Sequence, residues 1–125
     1  MDKRRILVVE DEAMIAVVLA EVLEDMGHEV CGIEATQAEA VAAALRLKPD
    51  LMIVDVRLKQ GSGIAAVAEI LRSGFIAHVF VSGDRLQPDM VHPRAVLLQK
   101  PFLESDLARA IQRAFGDAEI ASAPR

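Results

Sequence analysis

Residues 51–55 read Leu-Met-Ile-Val-Asp, four apolar side chains closed by a carboxylate. The run reads as a strand built for burial, and a carboxylate at its end is a poor choice for stability. The same ending recurs upstream, where Ile6-Leu7-Val8-Val9 closes on Glu10 and Asp11. Downstream, Val96-Leu97-Leu98 leads through Gln99 to Lys100, which is joined to Pro101. If these strands are parallel neighbours, three carboxylates meet at one edge of a sheet. They repel one another unless a cation sits among them. A hard divalent metal suits an all-oxygen set, and the lysine suits an anion beside it. Metal, anion and aspartate together point to phosphoryl chemistry.

Between the apolar runs lie segments of helical period, the pattern of a parallel α/β sheet. Strands are expected over 5–10, 29–34, 51–55, 77–82 and 95–99, and helices over 12–26, 36–47, 64–73 and 104–115. Gly27 stands where a C-terminal cap belongs. Thr36-Gln37-Ala38-Glu39 fits a capping box, and Pro49 ends the helix it opens. Residues 84–93 are polar and hold Pro88 and Pro93, so a fourth helix is expected to be short or irregular. The expected organisation is one domain over 1–116, then a disordered tail over 117–125 that lacks apolar periodicity. An open doubly wound sheet of order 2-1-3-4-5 puts the first and third strands side by side. Ligands bind outside the carboxyl ends of the strands at that switch point. Glu10, Asp11, Asp55, Ser82 and Lys100 all fall on that edge.

The bulk numbers bound the reading. A chain of 125 residues with 53% hydrophobic content can fill a single core. Aromatics are only 3%, so Ala, Val, Leu and Ile must build it. A net charge of −5 argues against non-specific nucleic-acid binding, and Lys3-Arg4-Arg5 reads as a solvated strand entry. Cys31 has no internal disulfide partner and suits a buried thiol in a reducing compartment. No apolar stretch reaches membrane-spanning length, and the N-terminus does not read as a signal peptide. A cytoplasmic location without membrane contact is expected.

Taken singly, Glu10 or Asp11 could be a helix N-cap, Asp55 a loop carboxylate, Ser82 a strand-end hydroxyl and Lys100 a surface lysine. Together, in this order and spacing, they resemble the receiver domain of two-component response regulators. The matching pieces are Ile-Leu-Val-Val-Glu10-Asp11-Glu12, Leu-Met-Ile-Val-Asp55-Val-Arg-Leu, Val-Phe-Val-Ser82-Gly83 and Gln-Lys100-Pro101-Phe102. The resemblance spans residues 4–115 and implies a flavodoxin-like (βα)5 fold. It makes Asp55 the acceptor of a phosphoryl group from a sensor histidine kinase or phosphotransfer protein. It implies Mg²⁺, or Mn²⁺ in its place, held by Asp11, Asp55, Glu10 and the main-chain carbonyl of Arg57. It sets Lys100 and Ser82 on the phosphoryl oxygens, leaves access over Gly83, and makes the Lys100–Pro101 bond cis.

Departures from the family are also legible. Receivers usually carry Tyr or Phe three residues before the lysine, where this chain has Leu97. The stretch from Ser82 to Lys100 looks about one helical turn short. The resemblance then narrows to single-domain and anti-sigma-type stress receivers of alphaproteobacteria. Arg57 and Asp84 occupy positions that tune phosphoryl lifetime in the family, and a salt bridge between them would screen the site. Met14, Val17 and Val18 widen the apolar arc of the first helix, at the end that docks on a kinase in the family. The expectation is a stand-alone receiver that binds a downstream protein or drains phosphate. The alternatives are a pseudo-receiver, an interaction module that is not phosphorylated, and a small flavodoxin-like cofactor protein. The last lacks a phosphate-cradling loop after the first strand and aromatics to stack a flavin.

Overall fold

The structure is a computed structural model describing residues 3–122, with side chains described through residue 116. Five strands form one parallel sheet: β1 (Arg5–Val9), β2 (Glu29–Glu34), β3 (Leu51–Asp55), β4 (Ala77–Ser82) and β5 (Val96–Gln99). Their order is β2-β1-β3-β4-β5, as the alternation of elements predicts. Four helices connect or follow them: α1 (Ala13–Asp25), α2 (Gln37–Leu47), α3 (Gly63–Leu71) and α4 (Glu104–Ser122).

Successive strand residues face opposite sides of the sheet. Both sides must therefore be apolar when helices cover both. Ile6, Val8, Leu51, Ile53, Val79, Val81 and Val96 pack with Ala16 and Leu23 of α1 and Leu107, Ala110 and Ile111 of α4. Leu7, Val9, Met52, Val54 and Phe80 pack on the other side with Ala40, Ala44, Ala66, Val67 and Ile70 of α2 and α3. The alanines let the helix axes approach the sheet, which is how a core with so few aromatics closes. Among the described residues no helix is long and apolar enough to cross a membrane.

Local chemistry sets the ends of the elements. Thr36 Oγ1 accepts from the Glu39 N–H at 3.1 Å, while Glu39 Oε1 meets the Thr36 hydroxyl at 3.2 Å. This is the forward half of a capping box, with the return bond to the hydroxyl rather than to the main chain. Gly27 takes φ +97° just past α1, a conformation that a side chain disfavours. Between β4 and β5 a single 3₁₀ turn, Pro88–Met90, stands where an α-helix would complete the pattern. Pro88 and Pro93 remove donors there and bias the preceding residues to extended geometry.

One boundary differs clearly from expectation. Helix α4 runs to Ser122 rather than stopping near Phe115. Gly116 and Asp117 lower helix propensity without forbidding it. The disordered tail expected over 117–125 falls on residues whose side chains, and beyond Ser122 whose backbone, lie outside the described residues. His78 on β4 is fully buried. Its Nδ1 donates to the Ile76 carbonyl at 2.7 Å, and the rings of Phe75, Phe80 and His92 lie around it. Burial holds its imidazole below the ordinary histidine range.

Candidate functional site

Strand register builds the site. Val9 of β1 pairs with Val54 of β3, so Glu10 and Asp55 reach the sheet edge side by side. Ser82 of β4 pairs with Gln99 of β5, which brings Lys100 beside them. The Lys100 N–H donates to the Ser82 carbonyl at 2.8 Å. The Lys100–Pro101 peptide bond is cis.

Glu10, Asp11 and Asp55 each offer a carboxylate oxygen, all within 4.8 Å of one another. Glu10 is 5% exposed and Asp55 9%. Asp55 Oδ2 takes the Lys100 ammonium at 2.9 Å and Asp55 Oδ1 takes the Arg57 N–H at 3.0 Å. The same ammonium lies 3.9 Å from Glu10 Oε1. Glu10 Oε2 accepts from the Glu12 N–H at 3.1 Å, and Asp11 Oδ2 from the Lys59 N–H at 2.6 Å. The N-cap of α1 is Glu12, whose side chain makes no capping bond. So neither Glu10 nor Asp11 is there to cap the helix.

The electrostatics carry the strain of this arrangement. Burial first, then hydrogen bonding and repulsion from Asp55, push the Glu10 carboxyl up to about 7, against the pull of the Glu12 N–H and Lys100. Burial lowers the Lys100 ammonium, but Asp55, Glu10 and Asp11 outweigh it and raise it overall. One ammonium thus faces three carboxyls. Hard oxygen donors in excess of the local positive charge fit a small divalent cation.

Around this centre the walls are small or polar. The Ser82 hydroxyl donates to the Asp84 carbonyl at 2.8 Å and accepts from the Asp84 N–H at 3.0 Å. A Cβ on Gly83 would meet nothing within 4 Å, so the approach over Ser82 is open. At Gly63 a Cβ would collide with the Asp55 carbonyl, so only glycine lets α3 start this close to the site. The expected Arg57–Asp84 salt bridge forms at 2.7 Å, with side chains 85% and 66% exposed. Sequence reasoning missed the Lys59 N–H on Asp11. A main-chain donor carries no residue signature, and only the length of the 57–62 loop hints at it.

Three hollows lie around the centre. A small one of about 50 Å³ lies under Glu10, Asp55 and Lys100 and reaches Ile15, Leu19 and Phe102. Beyond it a groove of about 400 Å³ runs along α1 past Met14, Val18 and Val22 to Phe102 and Leu107. On the other side, about 160 Å³ opens between Ser82, Leu86 and Leu97.

Residues 6–112 match the response regulator receiver domain family. The transcriptional regulatory protein PdtaR of Mycobacterium tuberculosis is 41% identical over 116 residues, spanning 89% of this chain and 56% of that protein. The phyllosphere-induced regulator PhyR of Methylorubrum extorquens is 34% identical over 119 residues, spanning 87% of this chain and 42% of that protein. This chain therefore spans about half the length of these relatives. The crystal structure of the response regulator PhyR from Brucella abortus matches 96% of this chain and 51% of its own, with TM-score 0.81 and 32% identity.

Proposed function

Because the chain belongs to the response regulator receiver domain family, we propose that it accepts a phosphoryl group on Asp55 from a histidine kinase or phosphotransfer protein. The observation that supports this most is the Lys100 ammonium 2.9 Å from Asp55, with Glu10 and Asp11 completing a carboxylate set within 4.8 Å. In the reaction an Asp55 carboxylate oxygen forms a bond to phosphorus. The bond from phosphorus to the donor imidazole breaks, and its electron pair stays on the imidazole nitrogen. Before transfer, the Arg57 N–H and the Lys100 ammonium hold the two Asp55 oxygens apart and oriented. During transfer Lys100 follows the charge onto a phosphoryl oxygen as a point charge. The Ser82 hydroxyl rotates from the Asp84 carbonyl to donate to another. Gly83 leaves the donor an unobstructed approach.

Asp11, Asp55, Glu10 and the main-chain carbonyl of Arg57 would hold Mg²⁺, or Mn²⁺ in its place. Bound there, the ion supplies charge neutralisation across the acceptor and phosphoryl oxygens. The apolar end of α1 is the docking surface for the donor: Met14 is 82% exposed, Val17 53% and Val18 57%, beside the groove that leads to the site. The phosphorylated domain then acts by binding a downstream protein or by draining phosphate from a kinase. Transfer of radiolabelled phosphate from candidate histidine kinases tests the assignment. Wild type becomes labelled only with Mg²⁺, and Asp55→Asn does not. Equal labelling of Asp55→Asn contradicts it.

A further inference from the structure

The loop over residues 57–62 joins β3 to α3 and carries two of the main-chain groups closest to the acidic centre. Its near limb is tied to the site by the Arg57 N–H on Asp55 Oδ1, at 3.0 Å, and by the Lys59 N–H on Asp11 Oδ2, at 2.6 Å. Its far limb turns at Gly61, with φ +88°, and pairs back on the near limb through an antiparallel bridge between Arg57 and Ser62. Among the described residues, one holds that far limb from outside through hydrogen bonds. Gln37, at the start of α2, accepts from the Ser62 N–H through Oε1 at 3.0 Å. The main-chain N–H of Gln37 donates to the Gln60 carbonyl at 3.1 Å. A Cβ on Gly61 would collide with the Gln37 side chain, so the turn and the glutamine are fitted to each other. Ser62 in turn caps α3, its Oγ accepting from the Ala65 N–H at 3.2 Å.

We propose that Gln37 is a positioning residue for the cation site. Clamping Gln60 and Ser62, it fixes the Arg57–Ser62 bridge and hence the register of the Arg57 carbonyl and Lys59 N–H against Asp55 and Asp11. The inference rests on the cation-assisted phosphoacceptor reading above. Groups that orient ligands from behind typically alter metal affinity by about tenfold or more. Gln37 touches no reacting atom and acts only through the loop.

The test compares wild type, Gln37→Met and Gln37→Glu, at high salt so that the added charge of the glutamate is screened. Methionine keeps the length and loses the acceptor, whereas glutamate keeps an acceptor oxygen. Mg²⁺ affinity is read by titration calorimetry, amide exchange over 57–62 in metal-free protein, and melting temperature alongside. Gln37→Met is expected to bind Mg²⁺ roughly tenfold more weakly and to exchange faster at Lys59 and Ser62. Gln37→Glu is expected to recover most of both. Unchanged affinity in Gln37→Met overturns the inference alone. So does a loss that follows melting temperature and is not restored by glutamate. If wild type binds no divalent cation, the site reading falls, and this inference with it.

Discussion

Glu10 is the residue whose cost is easiest to measure. Its carboxyl is buried beside Asp55 and lifted from 4.5 to about 7. A carboxyl raised on folding contributes stability that is fully present below its unfolded value and is lost as pH rises through the folded one. Metal-free protein should therefore lose stability between pH 4.5 and about 7 on account of this group. Glu10→Gln keeps the acceptor for the Glu12 N–H and removes the charge. It should be more stable than wild type at pH 8 by roughly 1–3 kcal/mol, and the gap should close by pH 4. Urea denaturation with a chelator at both pH values checks this, and a gap independent of pH contradicts it. Lys100 is the converse case, because its removal leaves Asp55 and Glu10 buried without a cation. Its side chain is 33% exposed, so the loss is moderated by solvent. Lys100→Met should cost about 1–3 kcal/mol without metal, and Mg²⁺ should restore part of it in a thermal melt. The identities of these residues were legible because each ends an apolar run. Their partners among main-chain N–H groups were not, since only tertiary placement of the loop decides them.

Among the elements, residues 83–94 are the ones built to respond. One end is tied by the Ser82–Asp84 turn. The other is clasped where His92 lies 5.0 Å from the Phe75 ring and the Arg94 guanidinium sits 4.0 Å over it. Between the two stands only the 3₁₀ turn, with no buried residue, beside the hollow lined by Leu97. A new anion at Ser82 would pull on the first tie and bias this segment toward a more ordered state. Amide exchange over 85–91 is expected to slow with Mg²⁺ and beryllofluoride, and identical exchange in both states contradicts the expectation. The Arg57–Asp84 bridge forms at 2.7 Å beside the same edge, and we propose that it screens the site. As an exposed pair it adds at most ~1 kcal/mol to stability, so its effect belongs to kinetics. Arg57→Ala and Asp84→Ala should speed autodephosphorylation severalfold with little change in melting temperature, and an unchanged rate removes the screening role. Pro88 and Pro93 made the missing helix readable in the sequence. The Phe75 clasp was not readable, because it joins a turn before β4 to a turn before β5.

At the scale of the whole molecule, unbroken burial along β1 from Ile6 onward, β3 and β4 follows from apolar runs that allow no polar face. That is why strand order and the acidic edge could be anticipated together. His78 could not, since a buried histidine in an apolar strand looks from sequence like a break in the run. The exposed apolar end of α1 and the groove beside it connect the outer surface to the phosphoacceptor edge. Met14→Glu and Val17→Glu should abolish transfer from the kinase while leaving unfolding midpoints within about 0.5 kcal/mol of wild type. Unfolding of either variant would instead mark the arc as packing surface. We propose that Asp55 is phosphorylated with the help of a divalent cation. Intact-mass spectrometry after incubation with acetyl phosphate, with and without Mg²⁺, tests it most directly. A single phosphoryl adduct is expected on wild type, requiring Mg²⁺ and absent from Asp55→Ala. An adduct that persists in Asp55→Ala, or that forms equally with a chelator, would contradict it.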